Sequence, residues 1–428
     1  MDRRHTNFPK HFFWGGSTAA HQVEGNNHNQ WTVWELAHAK ELAQTAHQRL
    51  NHLQNWQEIK DQAEEPENYI SGQGVDHYRR YKEDFEIAKG LNLNAFRFTI
   101  EWSRLEPEEG KWDIAEFDHY KKYITELRKQ KLEPFLTLWH WTLPQWFYEK
   151  DGFEKKENLK YFYRYVQKVA DELLDGVEYV ITVNEPNVDS TFAYMMGPAS
   201  PFRHPPAQRS LIKFVKVYSH LSIAHNSSYK ILKKKKPTLQ VGFSQQLANI
   251  QAKRPHNFFD QMTTYWMRYF WNWGFLRRTR KHTDFIGMNY YFSDYYSGIG
   301  QMRNPKIPLN DMGWYMEPEG IYPLLLRTWV KFKKPIFITE NGLADANDQH
   351  RRWWIEETLV AMERAISEGV DLRGYFHWSL LDNFEWQDGW WPKFGLVEVD
   401  RANGMKRTVR PSAKWYAGVI ADITNPKN

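Results

Sequence analysis

Short runs of apolar, β-branched or aromatic residues recur along the chain: "FFWGGST" from 12, "AFRFTI" from 95, "PFLTLW" from 134, "YVITVN" from 179, "LQVGFS" from 239, "FIGMNYY" from 285, "PIFIT" from 335 and "GYFHWS" from 374. Each has strand length and is bounded by turn-forming or polar residues, so eight strands are predicted. Between them the apolar positions change period. Leu159, Phe162, Val166, Val169 and Leu173 follow three-and-four spacing, as do Phe117, Tyr120, Ile124 and Leu127, which lines one face of a helix. Strands alternating with helices imply parallel pairing through right-handed crossovers. Eight such units predict an α/β chain folded as one closed (β/α)8 TIM barrel, a single domain over residues 1–428.

Two stretches break the rhythm. Residues 35–74 are long, polar and helix-favouring, and a connection of that length after the first strand reads as a rim insertion or lid. "YWMRYFWNWGF", 265–275, is aromatic enough to be an interfacial membrane segment, a subunit contact or a wall of a cleft. Core or rim packing is the default expectation for it.

Composition narrows the class. The chain is 41% apolar and 25% charged, and no run reaches the roughly 18 apolar residues of a membrane span, so a globular chain without a membrane partner is expected. The start, "MDRRHTNFPKHFFWGG", lacks the apolar core of a secretion signal, which points to a cytoplasmic protein. With no cysteine, disulfides, thiolate catalysis and cysteine metal sites are excluded. The net charge of +5 raises the question of nucleic acid, but "KKKKP" at 233–237 sits where a helix should end, and cations suit the negative end of its dipole. "RRTRK" at 277–281 is read as surface charge, so no nucleic-acid partner is expected. The 21 tryptophans and 23 tyrosines offer flat apolar faces that pack cores and also stack on sugar rings.

Two glutamates stand at strand ends. In "ITVNEPN", 181–187, Glu185 leaves an apolar strand directly before a proline, which predicts an extended, fixed position for its carboxylate. In "PIFITENG", 335–342, Glu340 ends another strand in the same way. In barrels of this kind, reacting groups come from the C-terminal ends of different strands, so acids after the fourth and seventh strands can meet at the mouth. Such a pair is the apparatus of glycoside hydrolysis.

The residues around these acids resemble glycoside hydrolase family 1, the β-glucosidase and β-galactosidase family, over nearly the whole chain. "FFWGGSTAAHQVEG" is similar to its first-strand motif, "FRFTIEWSR" (96–104) to the second, "TLWHWTLP" (137–144) to the third and "NYY" (289–291) to the sixth. "WSLLDNFEW" (378–386) and "KFGLVEVD" (393–400) are similar to its eighth-strand region. The resemblance implies Glu185 as acid/base and Glu340 as nucleophile, with Arg97, Asn184 and Tyr291 in the catalytic group. It implies sugar binding by Gln22, His140, Trp141, Asn289, Trp378, Glu385, Trp386 and Phe394, with Trp314 as an aglycone platform.

Physical chemistry gives these roles content. Arg97 and the Tyr291 hydroxyl favour an ionised nucleophile, while a nearby anion keeps Glu185 protonated. The resemblance gives Asn184 the sugar 2-hydroxyl. Plainer roles exist: a structural ion pair for Arg97, a strand-end cap for Asn184, core packing for His140 and Trp141, rim packing for Trp314. His140 has no companion at metal-ligand spacing, so neither a metal nor a cofactor is expected. Glu385 suits the 4- and 6-hydroxyls and would repel a 6-phosphate.

The chain departs from the family between 241 and 284, where it is compressed and a helix is expected to be reduced or missing, and again over 35–74. The expected function is a retaining exo-β-glycosidase acting on terminal, non-phosphorylated β-glucosides, galactosides or fucosides, with its carboxyl groups ~5 to 5.5 Å apart. Its partners would be small glycosides or short oligosaccharides. The rival is a sugar-binding barrel without turnover.

Overall fold

The structure is a computed structural model and describes residues 8–425 except 299 and 303. The basic start of the chain, residues 1–7, lies outside the described residues. Eight strands form the centre: β1 (Phe13–Ser17), β2 (Ala95–Thr99), β3 (Glu133–Thr137), β4 (Tyr179–Asn184), β5 (Gln240–Gln246), β6 (Phe285–Asn289), β7 (Ile336–Asn341) and β8 (Leu372–Trp378). They pair in parallel and close in the ring order β1-β8-β7-β6-β5-β4-β3-β2. Every predicted strand is one of these eight. They read as apolar runs because helices cover the outer face while side chains fill the inner one, so both faces are buried.

Alternation within the strands sorts the two faces. Ala95, Phe135, Ile181, Phe285, Phe337 and Phe376 point into the barrel and pack as one aromatic-rich layer, with Phe135 stacked 4.3 Å from Tyr179. Phe96, Phe98, Leu136, Val180 and Ile338 point outward into the main core beneath the helices. The predicted helical faces are buried there too, on helices Ile114–Lys129 and Leu159–Glu172. The lysine run ends helix Leu211–Lys235, where Lys233, Lys235 and Lys236 pair with Asp284, Asp171 and Glu178.

The strands that carry the two glutamates are irregular at their C-terminal ends. Register shifts interrupt β4 against β5 between Ile181 and Asn184, and β7 against both neighbours beyond Ile338. A bulge re-aims the side chains that follow it. At the end of β7, Gly342 lies so close to β8 that a Cβ there would stand 1.7 Å from the Trp378 carbonyl oxygen. Only glycine permits that approach.

Residues 35–74 are built from helix Gln30–Gln44, two short helices (Ala46–Leu50 and Trp56–Ala63) and a 3-10 turn (Pro66–Tyr69). Ala46, Leu50, Leu53, Trp56, Ile59 and Ala63 form a small core closed by Trp391. The compressed stretch between β5 and β6 still holds helical structure, Phe258–Met267 and Gly274–Thr279, separated by a π-turn over Arg268–Asn272. The default expectation for 265–275 fails in part. Tyr265, Trp266 and Phe270 are exposed, because the inward positions of that helix are taken by buried Asp260 and Thr264.

Candidate active site

The C-terminal ends of the barrel strands open into a cavity of about 570 Å³, which Glu185 and Glu340 both line. Glu340, on β7, receives a bond from Arg97 Nη1 on β2 and one from the Tyr291 hydroxyl at 2.7 Å. Arg97 is fully buried, and its other arm donates to Asn184 Oδ1 at 2.6 Å. Ser17 accepts from Arg97 Nη1 at 3.1 Å. Burial, with Glu340 and Glu185 close by, holds the Tyr291 phenol well above its ordinary pKa, so it remains a donor.

Glu185 has a different environment. It sits at φ +43°, in the left-handed region, rather than extended as the proline alone implied. The chain must pass directly from β4 into helix Pro186–Tyr194, and this conformation makes the corner. The corner is fixed by the Glu185 N–H, which donates to Ser244 O at 2.8 Å, and by its carbonyl, which accepts from Val188 N at 3.0 Å. For a residue with a Cβ this geometry costs roughly 1–2 kcal/mol. Trp141 and Trp386 also have positive φ, so strained backbone gathers around one cavity.

The Glu185 carboxyl accepts from Asn289 Nδ2 at 2.8 Å, and Asn289 is in turn fixed by Thr339 Oγ1 at 2.6 Å. Burial raises the Glu185 pKa well above its ordinary value, and the neighbouring Glu340 charge raises it further. Asn289 Nδ2 also reaches Asn184 Oδ1 at 3.2 Å. One chain of hydrogen bonds therefore links the two acids through Asn289, Asn184 and Arg97.

That chain fixes a tautomer. Arg97 can only donate, so the Asn184 oxygen faces it and the Asn184 amide nitrogen faces His140 Nε2 at 3.0 Å. Burial and the nearby Arg97 charge keep His140 neutral, so Nε2 accepts and the proton resides on Nδ1. Nδ1 has no protein partner among the described residues.

Glu385 lines the far wall. Gln22 Nε2 contacts it at 3.4 Å and is held at 2.6 Å by Phe384 O, while Gln22 Oε1 is buried without a partner among the described residues. Burial raises the Glu385 pKa, with further contributions from Asp388 and Glu340, and burial pushes Asp388 up to about 6. Trp386 lies 4.7 Å from Trp141 and 5.8 Å from His140. Trp378, Tyr291 and Phe394 form a second aromatic cluster, joined by Trp314, whose ring is 5.8 Å from Tyr291 and 6.0 Å from Phe394.

All fourteen residues singled out in the sequence thus lie in this cavity or in the hydrogen-bonded shell directly beneath it. Sequence reading did not single out Ser17, Thr339, Asp388 or His204. Asp388 follows Glu385 by three residues and could have been found from that spacing. His204, 4.5 Å from Trp141 and bonded to Asp189 at 3.1 Å, arrives from a loop with no local signal. Among the described residues, no cluster of three His, Asp or Glu is placed to hold a metal ion. No helix among them is long and apolar enough to cross a membrane.

Known proteins share this fold. Beta-glucosidase A of Acetivibrio thermocellus is 29% identical over 96% of this chain and 98% of its own. The solved beta-glycosidase from Pyrococcus horikoshii superposes with a TM-score of 0.84 at 32% identity, covering 97% of this chain and 95% of that one. Beta-glucosidase from Thermotoga maritima, solved in complex with glucoimidazole, gives 0.84 at 27% identity over 97% and 99%. The family model of glycosyl hydrolase family 1 matches residues 4–277 and 272–424, and the chain, a glycoside hydrolase of β-glucosidase type, belongs to that family.

Proposed function

We propose that the protein is a retaining, exo-acting β-glycosidase that removes a terminal, non-phosphorylated glucosyl, galactosyl or fucosyl residue by two displacements. The observation that carries this reading is the unequal hydrogen bonding of the two acids. Glu340 receives a guanidinium and a phenol, whereas Glu185 receives a neutral amide, and burial with the Glu340 charge beside it favours the protonated form of Glu185.

In the first displacement Glu340 attacks the anomeric carbon, the glycosidic C–O bond breaks, and the Glu185 proton passes to the departing oxygen. A glycosyl ester on Glu340 results. Its formation removes the negative charge that kept Glu185 protonated, so Glu185 becomes the base. It then takes a proton from water, the water oxygen bonds to the anomeric carbon, and the ester bond to Glu340 breaks.

Asn184 uses one amide hydrogen on His140 and has a second for the sugar 2-hydroxyl. His140 Nδ1–H and Gln22 Oε1 offer a donor and an acceptor to other hydroxyls. Asp388 beside Glu385 adds a second acid disfavouring a 6-phosphate. Residues 35–74 serve as a rim insertion: their core rests on Trp391, and His52 reaches the cavity.

Proton NMR of the first sugar released from an aryl β-glucoside tests the reading. A β-anomer appearing before mutarotation supports two displacements. An α-anomer would establish a single inversion.

A further inference from the structure

The segment between β5 and β6 has inverted amphipathicity. Helix Phe258–Met267 and the π-turn after it place Phe258, Phe259, Met262, Tyr265, Trp266 and Phe270 on one side at three-and-four spacing, and that side faces outward. Phe258 is 71% exposed, Trp266 48% and Phe270 62%. The buried side carries Asp260, which pairs with Arg254 at 2.9 Å, and Thr264. An ordinary barrel helix buries its apolar side and presents polar groups to water. Here the sequence does the reverse, and Trp266 stacks on Phe270 at 5.7 Å in the exposed layer rather than in a core.

The same segment walls the substrate cavity. Met267 and Trp271 line it, as do Met196 and Phe202. Met196 and Phe202 are also 39% and 41% exposed, so the apolar lining continues from the cavity onto the outer surface. Met195, Leu211 and Ile212 extend that surface, since the Ser210 N–H donates to Tyr194 O and brings the start of helix Leu211–Lys235 beside residue 195.

Charge identifies the partner. Between residues 251 and 284 the two acids are both paired, Asp260 with Arg254 and Asp284 with Lys233, and Arg268 turns its guanidinium to Ile250 O, which leaves Lys253, Arg277, Arg278, Arg280 and Lys281 with no acid from this segment. Arg277 lies over the Tyr269 ring at 4.5 Å, directly beside the aromatic side. Exposed Trp, Tyr and Phe flanked by cations form the arrangement that lies in the boundary layer of a bilayer with anionic headgroups.

We propose that this face seats the protein on an anionic lipid surface, and that the glycoside taken there carries a long alkyl or acyl chain as its aglycone. This rests on the glycosidase reading above and specifies the aglycone of the same site. The sugar enters toward Glu385, and the chain leaves between Met196, Phe202 and Trp271 toward the lipid. It departs from the expectation that no membrane takes part. Association at the surface needs no spanning helix.

The test uses the full chain and sedimentable vesicles of equal parts phosphatidylglycerol and phosphatidylcholine, with and without dodecyl β-D-glucoside. The wild-type protein sediments with the vesicles. The double variant Trp266→Ser/Phe270→Ser, which changes neither the cavity nor the acids, lowers the bound fraction about tenfold, since both apolar area and charge set such binding. Hydrolysis of vesicle-held dodecyl glucoside falls with it, while hydrolysis of 4-nitrophenyl β-glucoside in buffer is unchanged and shows that the variant is folded. A second variant, Arg280→Glu/Lys281→Glu, loses the phosphatidylglycerol vesicles and leaves the nitrophenyl reaction alone.

Wild-type protein left in the supernatant would overturn the proposal, as would binding that neither variant alters. So would a wild-type dimer in gel filtration that Trp266→Ser/Phe270→Ser splits, because a second copy would then cover the face. A wild-type protein that releases no nitrophenol would instead defeat the glycosidase reading, whatever the vesicles show.

Discussion

The Arg97 guanidinium is bonded to the Glu340 carboxylate at the floor of the cavity, with side-chain exposures of 0% and 4%. A buried charge left without its partner is costly, so Arg97→Met should destabilise the fold by about 3–5 kcal/mol. Arg97→Lys keeps the charge but gives up the planar fork that holds Glu340 and Asn184 together. Urea denaturation should find the methionine variant much weaker than the lysine variant. Steady-state kinetics should find kcat depressed in both.

Glu185 has a native pKa raised above its ordinary value near 4.5 by burial and by Glu340. Between those two values the folded state binds more protons than the unfolded one, so this group's contribution to stability falls as pH rises through the window. Glu185→Gln, which carries no charge at any pH, should therefore raise the melting temperature at neutral pH. The gain should vanish as pH approaches 4. A melting series from pH 4 to 8 checks both the sign and the window.

Asn289 acts on the same group in the opposite direction, since its amide donates to the Glu185 carboxylate and lowers that pKa. Asn289→Ala should move the alkaline limb of the kcat/KM profile to higher pH while lowering its height, because the acid keeps its proton longer but loses its orientation. A pH–rate profile separates this from general structural damage, which would lower the curve without moving it.

Glu385 and Asp388 stand together at the end wall. A bound sugar hydroxyl left without its buried partner costs about 1–3 kcal/mol, so Glu385→Ser should lower kcat/KM on aryl glucosides about 5- to 100-fold. The same variant should discriminate less against aryl 6-phosphoglucosides. Removing Asp388 by Asp388→Asn should lower the Glu385 pKa, visible as a shift of the pH dependence of KM toward acid.

Much of this arrangement was legible in the sequence because burial on both faces turns parallel strands into apolar runs, and all eight were marked that way. The positions of the two acids followed from where those runs stop. The local geometry that aims them did not. A register shift depends on the partner strand, so the bulges in β4 and β7 have no signature in "YVITVN" or "PIFIT" alone. The left-handed Glu185 was missed because the proline rule speaks only of what precedes proline in a continuing chain, and here a helix begins at once.

That Gln22 and Glu385 both belong to the site was implied by family motifs, while their contact across 363 residues of chain had no sequence signal. The 265–275 segment shows the limit of composition. Its aromatics read by default as core or rim packing, and only the placement of Asp260 and Thr264 inside reveals that Tyr265, Trp266 and Phe270 face out.

The central claim is that Glu340 forms a bond to the sugar while Glu185 transfers protons. Its most direct test is mass spectrometry of the protein after incubation with a 2-deoxy-2-fluoro-β-glucoside bearing an activated leaving group, which slows both displacements and lets a glycosyl ester accumulate. The account predicts an adduct of one fluoroglucosyl group on the peptide that contains Glu340. Turnover with no adduct, or an adduct on the peptide that contains Glu185, would contradict it.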